Sequence, residues 1–167
     1  MINYEKMCIN SQSVREYLED SINKTDKFQK SYENYDPDKT TLEKLKEYSD
    51  NIVIYGFSAE WCSDCYRNVP IMAHISEKTG IQVRIFGNLM RDAKNDERIW
   101  ACPPSPEEVN EFHINKIPTF IIVNIDGREI GRIVENPPRG KTVENTLLDI
   151  LRQNIKTVVC KNLISAV

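Results

Sequence analysis

From Val14 onward the apolar residues fall at helical spacing, with Tyr17, Leu18 and Ile22 continuing one stripe. Ser13, followed three residues later by Glu16, supplies a capping box for that helix. Asp36-Pro37 interrupts the pattern. Thr40 and Glu43 form a second capping box, and Leu42, Leu45 and Tyr48 predict a short helix behind it. Ile52-Val53-Ile54-Tyr55-Gly56-Phe57 is different in kind. It is almost continuously apolar, β-branched and aromatic, which predicts a strand covered on both faces. Val69, Met72, Ala73 and Ile75 restore helical spacing, Pro70 predicts a kink, and Gly80 stands where a C-terminal cap belongs. Ile81, Val83 and Ile85 then alternate with Gln82 and Arg84, which predicts a second strand.

Residues 88–104 follow neither period. The charged run Arg91–Arg98 reads as a solvated surface, and Cys102-Pro103-Pro104 cannot continue a helix. Ser105-Pro106-Glu107-Glu108 is a helix start with Ser as cap, and Val109 and Phe112 give that helix its apolar side. Phe120–Val123 predicts a strand, Asp126-Gly127 a hairpin turn, and Arg128–Val134 the returning strand. Pro137-Pro138-Arg139-Gly140 is a loop. Val143, Leu147, Leu148, Ile150 and Leu151 mark a last amphipathic helix, and the apolar tail Thr157–Cys160 docks as a strand or a helix end. The order is that of an α/β protein: helices, strand, helix, strand, short helix, hairpin, helix. No flexible linker divides it. The expected organisation is a helical extension over 1–49 packed on a domain over 50–155, an insertion at 88–104, and a tail over 156–167.

Composition narrows the function. The chain has 167 residues, 40% hydrophobic and 28% charged, with a formal net charge of -3. That is an ordinary globular balance and gives nucleic acid no basic surface. No apolar run is long enough to cross a membrane, and the N-terminus lacks the basic-then-apolar pattern of a signal peptide, so the cytoplasm is the expected location.

The five cysteines include one close pair, Cys62 and Cys65. In a reducing compartment a C-x-x-C pair is catalytic or metal-binding. This one lies between a buried strand and a helix, whose free N–H groups and partial positive charge favour a thiolate at Cys62. Zinc needs four ligands, and His74, His113, Cys8, Cys102 and Cys160 show no second paired spacing. No metal and no cofactor is expected. Asp64, between the two cysteines, opposes the helix terminus, because a nearby carboxylate disfavours a second negative charge. It points to solvent, or it accepts the proton of Cys65. Arg67 or Arg84 is a candidate to offset it, and Cys102 is a candidate third redox thiol.

The order of elements and five motifs together resemble the thioredoxin fold: a central mixed sheet flanked by helices. The motifs are Ala59-Glu60-Trp61 before the pair, the dithiol Cys62-Ser63-Asp64-Cys65, Pro70 five residues on, Ile117-Pro118-Thr119, and the turn at Asp126-Gly127. More narrowly, Trp61–Pro70 resembles a thioredoxin-like subgroup with a W-C-x-D-C-x-R-N-x-P pattern. The resemblance implies that Cys62 is the nucleophile, that Cys65 resolves the mixed disulfide, and that Pro118 is a cis-proline holding the Ile117 backbone beside the dithiol. Trp61 is either a substrate rim or a packing residue. The chain also departs from the family. Asp64 replaces a proline, Gly56 replaces a buried aspartate, and Glu135-Asn136 replaces a glycine near the substrate groove.

The implied function is thiol–disulfide exchange, working as a reductant, with a disulfide-containing protein as substrate and an electron donor of unspecified identity. The competing readings are a protein-interaction module built on the same scaffold and a redox sensor that uses the dithiol as a switch.

Overall fold

The computed structural model describes residues 2–164, with side chains through Asn154. Five strands form one mixed sheet in the order β1 (Gln12–Ser13), β3 (Gln82–Phe86), β2 (Ile52–Phe57), β4 (Thr119–Asn124), β5 (Glu129–Val134). β2 runs parallel to β3 and antiparallel to β4, and β4 and β5 form the hairpin. The parallel pair needs a crossover, and helix α5 (Ser63–Thr79) supplies it. Thus β2 lies at the centre of the sheet, and its C-terminal end delivers the chain to Trp61 and Cys62. Ile54, Tyr55, Phe57, Phe120, Ile121 and Ile122 are buried along the two central strands. This is the α/β arrangement that the resemblance implied.

The N-terminal 49 residues hold four helices: α1 (Tyr4–Asn10), α2 (Val14–Ser21), α3 (Lys27–Asn34) and α4 (Lys39–Leu45), with a 3-10 turn at Lys46–Tyr48. The capping box of α2 is present, with Ser13 and Glu16 as reciprocal partners. α2, α3 and α4 pack on α5, so the extension covers the helix that carries the cysteines. Val14, Tyr17, Leu18, Phe28, Leu42 and Leu45 are among the buried side chains of these helices. Arg84, a candidate partner for Asp64, instead holds the extension by donating to the Ser11 hydroxyl and to the carbonyls of Ser11 and Cys8. Three elements carried no apolar period of their own: α1, α3 and the two-residue edge strand β1.

Four local expectations need correction. Ile22 ends the α2 stripe in sequence but lies past the helix, 52% exposed. The cap of α4 is Asp38, not Thr40: its carboxylate accepts the Thr40 N–H at 3.1 Å and the Thr41 hydroxyl. A carboxylate directly after Pro37 is the better acceptor and starts the helix two residues sooner. Ser105 caps nothing, because its hydroxyl is spent on Met90, accepting the N–H at 2.7 Å and donating to the carbonyl. The short helix α6 therefore begins only at Glu108 and ends at Glu111. Ile81 precedes β3 rather than opening it.

α5 ends at Gly80, whose φ of 80° is the left-handed geometry expected of a cap. Helix α7 (Val143–Ile164) packs on β5, α4 and α5. It runs through the expected boundary at residue 155, so 156–164 continue that helix. The side chain of Cys160 lies outside the described residues.

Candidate active site

Cys62 is the N-cap of α5, in extended backbone geometry (φ -87°, ψ 121°). Its sulfur accepts the Cys65 N–H at 3.3 Å and donates to the Ile117 carbonyl at 3.6 Å. Both cysteines are free thiols, Cys62 8% exposed and Cys65 fully buried. The two sulfurs are treated oppositely. The hydrogen bond from Cys65, with further ones from the Cys65 and Asp64 N–H groups, brings Cys62 down to about 7 against the push of burial. Asp64 acts upward, as charge repulsion requires, but more weakly than any of these. Burial first, and the Cys62 hydrogen bond and charge second, push the Cys65 thiol far up. One sulfur is therefore available as thiolate near neutral pH while its neighbour stays protonated.

Asp64 does not reach Cys65. It makes a 3.4 Å ion pair with Arg67 at the surface. Ser58, fully buried at the end of β2, acts downward on Cys65, more weakly than burial and Cys62 act upward. Gly56 leaves no room for the family's buried acid: a Cβ there would lie 2.7 Å from Ile85 Cδ1 and 2.9 Å from Phe120 Cδ1.

Trp61 is 50% exposed and fixed along one edge. Its indole N–H donates to the Leu89 carbonyl at 3.1 Å, and its ring stacks on Trp100 with centroids 5.9 Å apart. Both anchors lie in the 88–104 insertion. That insertion is closed at its base by a bridge between Met90 and Cys102 and an Asp92 N–H to Ile99 carbonyl bond. Cys102 is half-buried there, with its thiol on the Pro103 carbonyl.

The Ile117–Pro118 peptide bond is cis, and both residues are buried. The Pro118 carbonyl accepts the Glu135 N–H at 2.7 Å. Glu135 itself has φ 59°, the left-handed region that a non-glycine residue occupies only when held. Asn68, 2% exposed, helps to hold it, giving its amide to the Glu135 carbonyl at 2.7 Å and the Asn136 side-chain oxygen at 3.0 Å. Arg67 donates to the same Asn136 oxygen at 3.1 Å.

The structure thus brings Trp61, Cys62, Asp64, Cys65, Ile117 and Pro118 to one end of the sheet. Sequence reasoning missed Tyr17, Ser58, Asn68, Leu89 and Trp100. Only Asn68 left a signal, as the asparagine of the Trp61–Pro70 pattern. Among the described residues no cluster of three or more His, Cys, Asp or Glu side chains is placed to hold a metal ion. His74 instead stacks on Tyr32 at 4.0 Å.

A family model described as Thioredoxin matches residues 11–148. Thioredoxin Y, chloroplastic, of Oryza sativa subsp. japonica is 30% identical over 83 residues, covering 50% of this chain and 42% of the rice protein. A Pseudomonas aeruginosa protein of unknown function shares the fold with a TM-score of 0.62 at 14% identity, over 92% of this chain and 99% of that one. An HIV epitope-scaffold protein does so with a TM-score of 0.57 at 14% identity, over 91% and 99%. The family model spans the sheet, the cysteine helix and the start of the last helix, and the chain belongs to the thioredoxin family.

Proposed function

We propose that this protein catalyses thiol–disulfide exchange and acts as a reductant. The observation that carries the reading is the unequal pair: Cys62 lowered to about 7 at the mouth of a helix, Cys65 buried and protonated behind it. The Cys62 thiolate attacks a substrate disulfide, forms a mixed disulfide and expels one substrate sulfur. Cys65 then attacks Cys62, closes the internal disulfide and releases the second sulfur. An attacking cysteine near 7 matches a reductant better than the strongly acidic cysteines, near about 3.5, of dedicated oxidants. Trp61 forms one rim of the groove, and the backbone at Ile117, held by Pro118, pairs with an extended peptide. The substrate is a disulfide-bearing protein. A separate electron donor returns the dithiol to its reduced state, in a reducing compartment such as the cytoplasm.

Reduction of insulin disulfides with dithiothreitol as donor tests this. Cys62→Ser abolishes turnover, and Cys65→Ser accumulates a mixed disulfide visible by mass spectrometry. Equal rates for wild type and Cys62→Ser would refute the reading.

A further inference from the structure

Arg67 stands on the second turn of α5, and the helical rise sets its Cα about 7 Å along the axis from that of Cys62. A run of contacts joins the dithiol to this arginine. The Cys62 thiol donates to the Ile117 carbonyl, the Pro118 carbonyl accepts the Glu135 N–H, and the Asn136 side chain accepts from Arg67 at 3.1 Å. Two cavities meet at Arg67 and Tyr35, which line both. One, of about 320 Å³, reaches Ser63 and Tyr66 at the dithiol. The other, of about 350 Å³, is walled by Asn136 and Arg139. Neither lining contains a carboxylate, although the formal net charge of the protein is -3.

The arginines there have hydrogen-bonding capacity to spare. Both contacts of Arg67, to Asp64 at 3.4 Å and to Asn136, use Nη1. Nε and Nη2 form the edge of a guanidinium that meets both oxygens of a carboxylate, and they are uncommitted among the described residues. The Arg139 side chain is exposed and makes no ion pair or hydrogen bond with any described residue. Lys141 differs, because its amine is spent on Asp149 at 2.8 Å. Glu144, the buried acid nearby, is occupied by the Tyr35 hydroxyl and the Asp38 N–H.

We propose that Arg67 and Arg139 are specificity-determining residues that select polypeptide disulfides flanked by acidic side chains. This rests on the reading of Cys62 as the attacking sulfur. An extended substrate advances about 3.3 Å per residue, so Arg67 meets the side chain about two residues from the attacked cysteine, and Arg139 serves a more distant one. Two cavities in series fit a length of chain rather than a single small anion. In the attack the bond from Cys62 to the substrate sulfur forms, the substrate S–S bond breaks, and the departing sulfur takes the electron pair. The arginines touch none of these atoms and act by holding the flank.

The test uses peptides whose central cysteine is disulfide-bonded to thionitrobenzoate and flanked on both sides, about two residues away, by glutamate, glutamine or lysine. The protein is the reduced full-length chain with Cys8, Cys102 and Cys160 replaced by serine. Attack of Cys62 on the peptide sulfur expels coloured thionitrobenzoate. Each rate is divided by that of the glutamine peptide on the same protein, which removes any change in the thiolate itself. At low salt the glutamate peptide is expected to react roughly five- to twentyfold faster than the lysine peptide. Arg67→Gln and Arg139→Gln each lower that ratio by about two- to fivefold. The double variant brings it to about one, as does salt at about 0.5 M with both arginines in place. A ratio near one with both arginines present, or a ratio that survives in the double variant, overturns the inference, and a ratio unmoved by one substitution removes that residue from it. Thionitrobenzoate release no faster than that of the Cys62→Ser protein, with every peptide, overturns the reading of Cys62 instead.

Discussion

At the residue scale, the site is governed by where each polar atom of Cys62, Asp64 and Cys65 finds a partner. Alkylation of Cys62 in the reduced protein is expected to follow an ionisation near 7, well below that of an unperturbed thiol. Because the Asp64 carboxylate acts upward on Cys62, Asp64→Asn lowers that midpoint, and the pH dependence of iodoacetamide labelling reads the shift. A midpoint that does not move would remove Asp64 as an influence on the thiolate. Much of this was legible. The helix-terminus argument placed the thiolate at Cys62, and repulsion gave the sign of the Asp64 effect. The bond between Tyr17 and Ser58 was not legible, because the two lie 41 positions apart in sequence and neither stands in a motif. A tyrosine on an apolar stripe reads as packing, and only the fold reveals what its hydroxyl touches.

At the scale of elements, α5 is a strut between two halves of the molecule. Its outer face meets the N-terminal helices, and Asn68 ties it to the turn after β5, which in turn holds Pro118. Asn68→Ala removes the bonds to Glu135 and Asn136 and weakens the hold on the left-handed Glu135. A loss of roughly 1–3 kcal/mol in denaturant unfolding is expected, together with a slower attack on protein disulfides. Wild-type stability in that variant would show that the turn holds itself. The elements with a strong period were readable at this scale: the buried central strand, the cysteine helix, the hairpin. α1, α3 and β1 were not, because short polar segments acquire their structure from what they pack against. The insertion was read only in part: its charged run Arg91–Arg98 lies at the surface as expected. Its charged residues dominate the composition, while two apolar side chains, Leu89 and Trp100, bind it to the core.

For the whole molecule, the unequal thiols make stability depend on pH. A group whose folded pKa is depressed contributes stability above its unfolded value and loses it as pH falls through the folded one. Cys62 therefore stabilises the reduced protein progressively between about 7 and 9, by at most about 3 kcal/mol. Cys65 has the opposite sign: the unfolded chain ionises it more readily, so stability declines again above about 9. Urea titrations across this range should show the rise in wild type and not in Cys62→Ser.

The stacked pair of Trp61 and Trp100 has a practical corollary. The chain contains two tryptophans, and both stand at the mouth of the dithiol. The protein's ultraviolet emission therefore comes chiefly from one spot beside the reacting sulfur. Closing and opening the Cys62–Cys65 bond should alter its brightness directly, so each turnover carries its own optical signal without a dye.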